Sequence, residues 1–199
     1  DLNNFETIHT YKHDIDEMNN QILNNNKYKI NSAEPKIRFL YWHPLLLENG
    51  SIMSFSGLSE SFKIDFCSNL EWINYDGKLH HSQMLDHNGD VWAGGRAKPV
   101  SHYVSKYSLE DFNDDSIVKI STNGEILFNK SISEILIENK IVPDNFALVS
   151  SLSNELDPIH VNDVEPAFND TEHWKQGDVF ISIRHHSSII HYRPNTNKV

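Results

Sequence analysis

Among 199 residues there is a single cysteine, Cys67, so the chain cannot close a disulfide on itself and its cysteine content does not indicate a redox compartment. No run of about 18 apolar residues occurs, which removes a membrane-crossing helix from consideration. No basic cluster interrupts a composition whose formal net charge is −11, which argues against a nucleic-acid backbone or an anionic membrane as partner. The Cys/His spacing of a zinc finger, the His-Glu-x-x-His motif and the calcium-binding loop are all missing, so neither a metal nor a cofactor is expected. The chain begins at Asp1 with no signal-peptide pattern, and its texture is that of an excised piece of a longer protein.

What is present in excess is histidine, twelve in all, and a repeated phrase. A histidine is followed by a turn and a strand that closes on Gly or Arg. The first copy runs from His43 through Asn49-Gly50 to Gly57. The second runs from His81 through Asn88-Gly89 to Gly94-Gly95-Arg96. The third starts at His160 and reaches Gly177-Asp178-Val179-Phe180-Ile181-Ser182-Ile183-Arg184 after an insertion. A further strand, turn and strand follow each copy, as in Ile117–Ile120, Asn123-Gly124 and Ile126–Phe128. Four antiparallel strands per unit, repeated, describe the blade of a β-propeller.

The fold class expected is therefore all-β: about three four-stranded blades over residues 36–199, broken mid-blade at Val199. A short irregular or helical lead-in covers 1–35. An open antiparallel sheet or a sandwich of many short strands is the alternative. Strands are predicted at 37–42, 51–56, 62–67, 70–74, 80–85, 90–94, 101–107, 116–120, 125–129, 160–166, 178–183 and 188–192. Asn49-Gly50, Asp76-Gly77, Asn88-Gly89 and Asn123-Gly124 serve as hairpin turns, because these pairs tolerate the positive φ of two-residue loops. Ser131–Lys140 reads as a helix capped by Ser131. The Gly50 to Gly89 step of 39 residues is one blade, and the 88 residues from Gly89 to Gly177 imply a large insertion or an extra degenerate blade.

Chemistry concentrates around the third copy. His160 and Asn162 are two apart, so on a regular strand they share a face, and Arg184 ends the neighbouring strand. A histidine, an amide and a guanidinium in one place suit an oxyanion such as sulfate or phosphate. The guanidinium is a planar donor fork, and histidine exchanges donor and acceptor roles near neutral pH. His81 takes the equivalent position in the second copy, with His80 expected on the opposite face. Of His185 and His186, alternation allows at most one to join Arg184. His43 is followed by Pro44 and reads as structural. Trp72, Trp92, Phe128 and Phe180 read as packing between units, and the acidic run Asp111–Asp115 reads as a solvated loop.

The stretch His160-Val-Asn-Asp with Gly-Asp-Val-Phe-Ile-Ser-Ile-Arg-His resembles the arylsulfotransferase family, the bacterial arylsulfate sulfotransferases that work without a nucleotide sulfate donor. His80-His81-Ser82 through His87-Asn88-Gly89-Asp90 resembles that family's earlier histidine motif, although Ser82 stands where the family usually has an acidic residue. The resemblance spans about residues 60–199. It implies a six-bladed propeller in which a histidine carries a sulfuryl group from a phenolic sulfate ester to a phenolic acceptor. Splitting one transfer into two in this way is covalent catalysis. His81, His160 and Arg184 match the family's catalytic supporting residues, and Asn162, His80 and His185 are the substrate-contacting candidates beside them. The nucleophilic histidine is expected in a later blade, outside these 199 residues, and an exported or periplasmic location is expected from the family. A non-catalytic ligand-binding propeller and an ester hydrolase that uses water as acceptor are the rival functions.

Overall fold

The computed structural model describes residues 3–12, 14–24, 40–55, 60–97, 99–102, 112–141 and 157–199. Helix α1 is Ile15–Asn24, within the predicted lead-in. Strands β1 (Trp42–Leu46), β2 (Ile52–Phe55), β3 (Glu60–Ile64) and β4 (Leu70–Leu85) follow in order. Then come β5 (Val91–Arg96), β6 (Asp115–Ile120), β7 (Ile126–Ser131), helix α2 (Ile132–Glu138), β8 (Val161–Pro166), β9 (Val179–Ile183) and β10 (Ser188–Tyr192). Every pairing among these strands is antiparallel between neighbours in sequence.

The all-β reading holds, and the strands sort into three sheets. The first is β1, β2, β3 and the first half of β4; the second is the second half of β4 with β5, β6 and β7; the third is β8, β9 and β10. A bridge between Arg193 and Lys198 turns the chain back beyond β10. The sheets do not close into a ring among the described residues.

Two expectations need correction. Asp76-Gly77 is not a hairpin turn: β4 continues through it as one 16-residue strand. Asn74 pairs with Ser61 and Lys78 with Glu60, so the intervening residues bulge out of the ladder instead of reversing it. The Asn-Gly hairpins are real, but they are not two-residue loops. Gly50, Gly89 and Gly124 accept positive φ (80°, 79° and 87°) after a β-turn, and the preceding asparagines do not. The amides of Gly50, Gly89 and Gly124 donate to Leu47, Asp86 and Ser121, and the strands resume one residue later. This is the three-residue loop with a glycine bulge, whose twist also suits a hairpin. The long step from Gly89 to Gly177, expected to hold a large insertion or a degenerate extra blade, contains no further sheet among the described residues. It contains β6, β7, α2 and connecting segments. Of the strand predicted at 101–107, Ser101 and His102 are not in a strand, and the rest lies outside the described residues, as do Ser56 and Gly57.

Helix α2 starts where predicted. The Ser131 hydroxyl accepts from the Glu134 amide at 3.2 Å and donates to Asp114 at 2.7 Å, so one side chain caps the helix and ties it to the second sheet.

The core lies between the sheets. Val91 and Ala93 of β5 with Val118 and Ile120 of β6 pack toward Met53 and Phe55 of the first sheet. Trp92 and Ile117, on the opposite face of the same strands, pack with Val161, Val164, Ile181 and Ile183 of the third sheet and with α2. The middle sheet is thus buried on both faces, which is why β5 reads as a continuous apolar run instead of alternating. Each such side chain contributes about 1.5–3 kcal/mol on burial. Trp72 and Trp92 are packing residues, as their spacing suggested.

Candidate active site

The first residue of interest in each sheet is a histidine with a left-handed backbone. His43, His81 and His160 have φ of 40°, 65° and 54°. Each lies at the edge of an irregularity in its strand pairing: Trp42/Leu45, His80/Gln83 and Val161/Asp163. Side chains other than glycine's pay roughly 1–2 kcal/mol for this conformation. Its recurrence at three equivalent positions makes it a property of the repeat.

The kink overturns the alternation argument. His80 and His81 are not sent to opposite sides: their rings meet edge to face with centroids 5.1 Å apart. Likewise His160 precedes β8, and Asn162 is the residue bulged out between Val161 and Asp163, so their two-residue spacing does not set a shared face. Asn162 is half-buried, and its carbonyl accepts from the Ser82 hydroxyl at 3.3 Å. Ser82 also hydrogen-bonds the Asp163 carboxylate, so a serine of the second sheet meets an acid of the third.

His81 and His160, from different sheets, touch through their Nε2 atoms at 2.9 Å. Behind His160, Nδ1 lies 2.5 Å from Oδ2 of Asp157. Arg96 sits 3.7 Å from the other oxygen of Asp157 and hydrogen-bonds Asp115. Asp115 in turn lies 3.3 Å from Nε2 of His80 and accepts the Val161 amide at 2.7 Å. The contacts form a ring: His81, His160, Asp157, Arg96, Asp115, His80 and back to His81. His185 joins from the turn after β9, its Nδ1 2.5 Å from the Asp157 carbonyl and its ring 5.0 Å from that of His160. His186 is not part of this group; its Nε2 is buried without a hydrogen-bond partner. Arg184 is exposed, and its backbone amide donates to the His160 carbonyl at 2.9 Å. Its guanidinium charge is felt at His81.

Glycine makes room for the cluster. A Cβ on Gly94 would stand 3.2 Å from Val161 and 3.4 Å from the His80 ring; one on Gly95 would stand 2.7 Å from Val118. The closing Gly-Gly of the second copy is the flat surface on which His80 rests.

Burial lowers the His81 pKa to about 4, helped by the neighbouring His80 and His160 and by Arg184, with Asp115 opposing, so His81 is neutral at physiological pH. Burial alone would raise the carboxyl of Asp115. The His80 contact, the Arg96 charge and the Val161 amide outweigh it and hold the group ionised.

Asp115 corrects the reading of the acidic run as solvated: Asp114 and Asp115 are both buried, and Asp115 is wholly so. Asp115, Asp157 and Arg96 are the members that sequence reasoning did not assign. Arg96 pairs directly with Asp115 across the β5–β6 ladder, so the correct register alone would have brought opposite charges together.

Asp157, His160 and His185 present ligand-type atoms within 4.8 Å of one another. Two of them, Nδ1 of His160 and Oδ2 of Asp157, are 2.5 Å apart. Ligands on one zinc ion at about 2.0–2.2 Å stand about 3.3 Å from each other. With the Arg96 guanidinium also beside Asp157, the arrangement is that of a hydrogen-bonded carboxylate–imidazole pair, and it does not fit a cation as it stands.

Three antiparallel sheets each carry a left-handed histidine beside a strand irregularity, and two of these histidines are in contact and backed by buried carboxylates. Residues 61–199 match the sequence model of the family Arylsulfotransferase (ASST). The chain belongs to that family. No curated protein matches it.

Proposed function

We propose that this chain supplies the supporting groups of a sulfuryl-transfer site that moves a sulfuryl group from a phenolic sulfate ester to a phenolic acceptor through a histidine intermediate. The observation that carries the reading is the direct His81–His160 contact at 2.9 Å beside an exposed Arg184. Sulfuryl transfer places negative charge on the equatorial oxygens and on the leaving phenolate. Arg184 answers the first as a fixed cation, and the imidazoles answer the second by hydrogen bonding and proton transfer. Asn162, His80 and His185 line or brace the same place. The role of nucleophile is assigned to none of these residues.

The architecture proposed is a ring of such sheets, a β-propeller of six blades. Support comes from β4, which ends one four-stranded sheet and begins the next without interruption, and from the repeated left-handed histidine. The test is release of p-nitrophenol from its sulfate ester by the protein carrying this chain. Release is expected to depend on added phenol and to yield the sulfated acceptor. Release at the same rate without phenol, with inorganic sulfate as product, would make the protein a hydrolase instead.

A further inference from the structure

We propose that Asp157 is a positioning residue that fixes the ring of His160 with its proton on Nδ1, so that the Nε2 atoms of His160 and His81 hold one proton between them and lend it to the phenols. This rests on the sulfuryl-transfer reading and adds to it the route of the proton.

Two Nε2 atoms in contact at 2.9 Å cannot both be donors or both be bare acceptors, so the resting pair shares one proton. The Asp157 carboxylate accepts at Nδ1 of His160, so that nitrogen carries a hydrogen in either charge state of the ring. Asp157 is itself held in place. It is buried, its carbonyl meets Nδ1 of His185, and its second oxygen makes no hydrogen bond but faces Arg96 at 3.7 Å. Burial and its neighbours disfavour the charged form of His81, so within the pair the second proton of an imidazolium belongs to His160. The two rings face each other with centroids 4.8 Å apart.

The chemistry then balances in two halves. In the first, the nucleophilic histidine's nitrogen forms a bond to sulfur as the ester S–O bond breaks. The leaving phenolate takes the Nε2 proton of a doubly protonated His160, which keeps its Nδ1 proton on Asp157 and turns from His81 as a neutral imidazole, and departs as a phenol. In the second, the acceptor phenol returns a proton to the pair while its oxygen bonds to sulfur. The S–N bond breaks with its electron pair returning to the nucleophilic histidine. The lent proton is recovered, and no other reagent is consumed.

The test has one arm without catalysis and one with it. In wild-type protein labelled with 15N-histidine, at a pH where His160 is neutral, its Nδ1 should be protonated and its Nε2 bare. The opposite tautomer, common for free neutral histidine, would overturn the proposal. In Asp157→Asn the preference should be lost. With p-nitrophenyl sulfate and phenol, that variant should lose about 100-fold or more in kcat with KM changed less than about twofold, by analogy with the misoriented imidazole of a broken Ser-His-Asp triad. Asp157→Glu should regain part of the rate. A kcat for Asp157→Asn within twofold of wild type would overturn the proposal, provided wild type is active. Wild-type protein with no phenol-dependent turnover but the expected His160 tautomer would overturn the sulfuryl-transfer reading instead.

Discussion

His43 and His160 begin equivalent strands in two sheets, share a left-handed backbone and sit beside the same kind of strand irregularity. Their surroundings differ. His43 is exposed, and its carbonyl accepts the Gln83 side chain at 2.6 Å, so its backbone is what the fold uses. His160 is held at Nδ1 by Asp157, at Nε2 by His81 and through its carbonyl by Arg184. The repeat therefore specifies where a histidine is placed. The charged residues that the neighbouring strands contribute, Asp115, Asp157 and Arg96, specify what it can do.

The sharpest way to break that distinction is to remove the ion at its centre. Asp115→Ala leaves Arg96, His80 and the Val161 amide without their shared acceptor, and it should destabilise the protein by about 3–5 kcal/mol. Denaturant midpoints of wild type and variant measure it; a loss under 1 kcal/mol would mean the ion network is not what joins the second and third sheets.

A smaller effect is expected from the glycine floor. Gly95→Ala puts a methyl 2.7 Å from Val118 and 3.2 Å from the Lys78 carbonyl, and should cost about 1–3 kcal/mol by overpacking. Gly89→Ala, with open space around it but φ of +79°, should cost about 1–2 kcal/mol through backbone strain alone. Thermal denaturation of the two variants separates crowding at the site from strain at the distant turns.

Acid provides a milder probe. Folded His81 takes up its proton only near pH 4, whereas the unfolded side chain does so at its ordinary 6.5. Between these values the unfolded chain binds a proton that the folded one refuses. The His81 contribution to stability therefore declines as pH falls from about 6.5 to 4, and levels off below. The fall in urea midpoint across that window should be smaller in His81→Gln than in wild type. Equal falls would place the acid sensitivity elsewhere.

Much of this fold was legible from punctuation. Three Asn-Gly pairs marked three hairpins because only glycine accepts the conformation at the bulge, and Ser131 marked the start of α2. The continuous β4 was not legible. Asp76-Gly77 is as good a bulge as it is a turn, and only pairing with Ser61 and Glu60 decides between them. Of the site, His81 and His160 were found from their places in the repeat and do converge, and His185, considered only as a neighbour of Arg184, joins them. His80 was given the wrong side, because strand alternation fails where the next residue has positive φ. Asp115 was hidden in an acidic run whose composition reads as solvated, since burial of a carboxylate depends on an arginine and a backbone amide brought from elsewhere in the chain.

The central claim, that equivalent histidines differ in function because their partners differ, is tested most directly by phenol-dependent release of p-nitrophenol from its sulfate ester in wild type, His160→Ala and His43→Ala. The account predicts a fall of about 10²–10⁴-fold for His160→Ala and activity within twofold of wild type for His43→Ala. Equal losses in the two variants, or a His160→Ala protein as active as wild type, would contradict it.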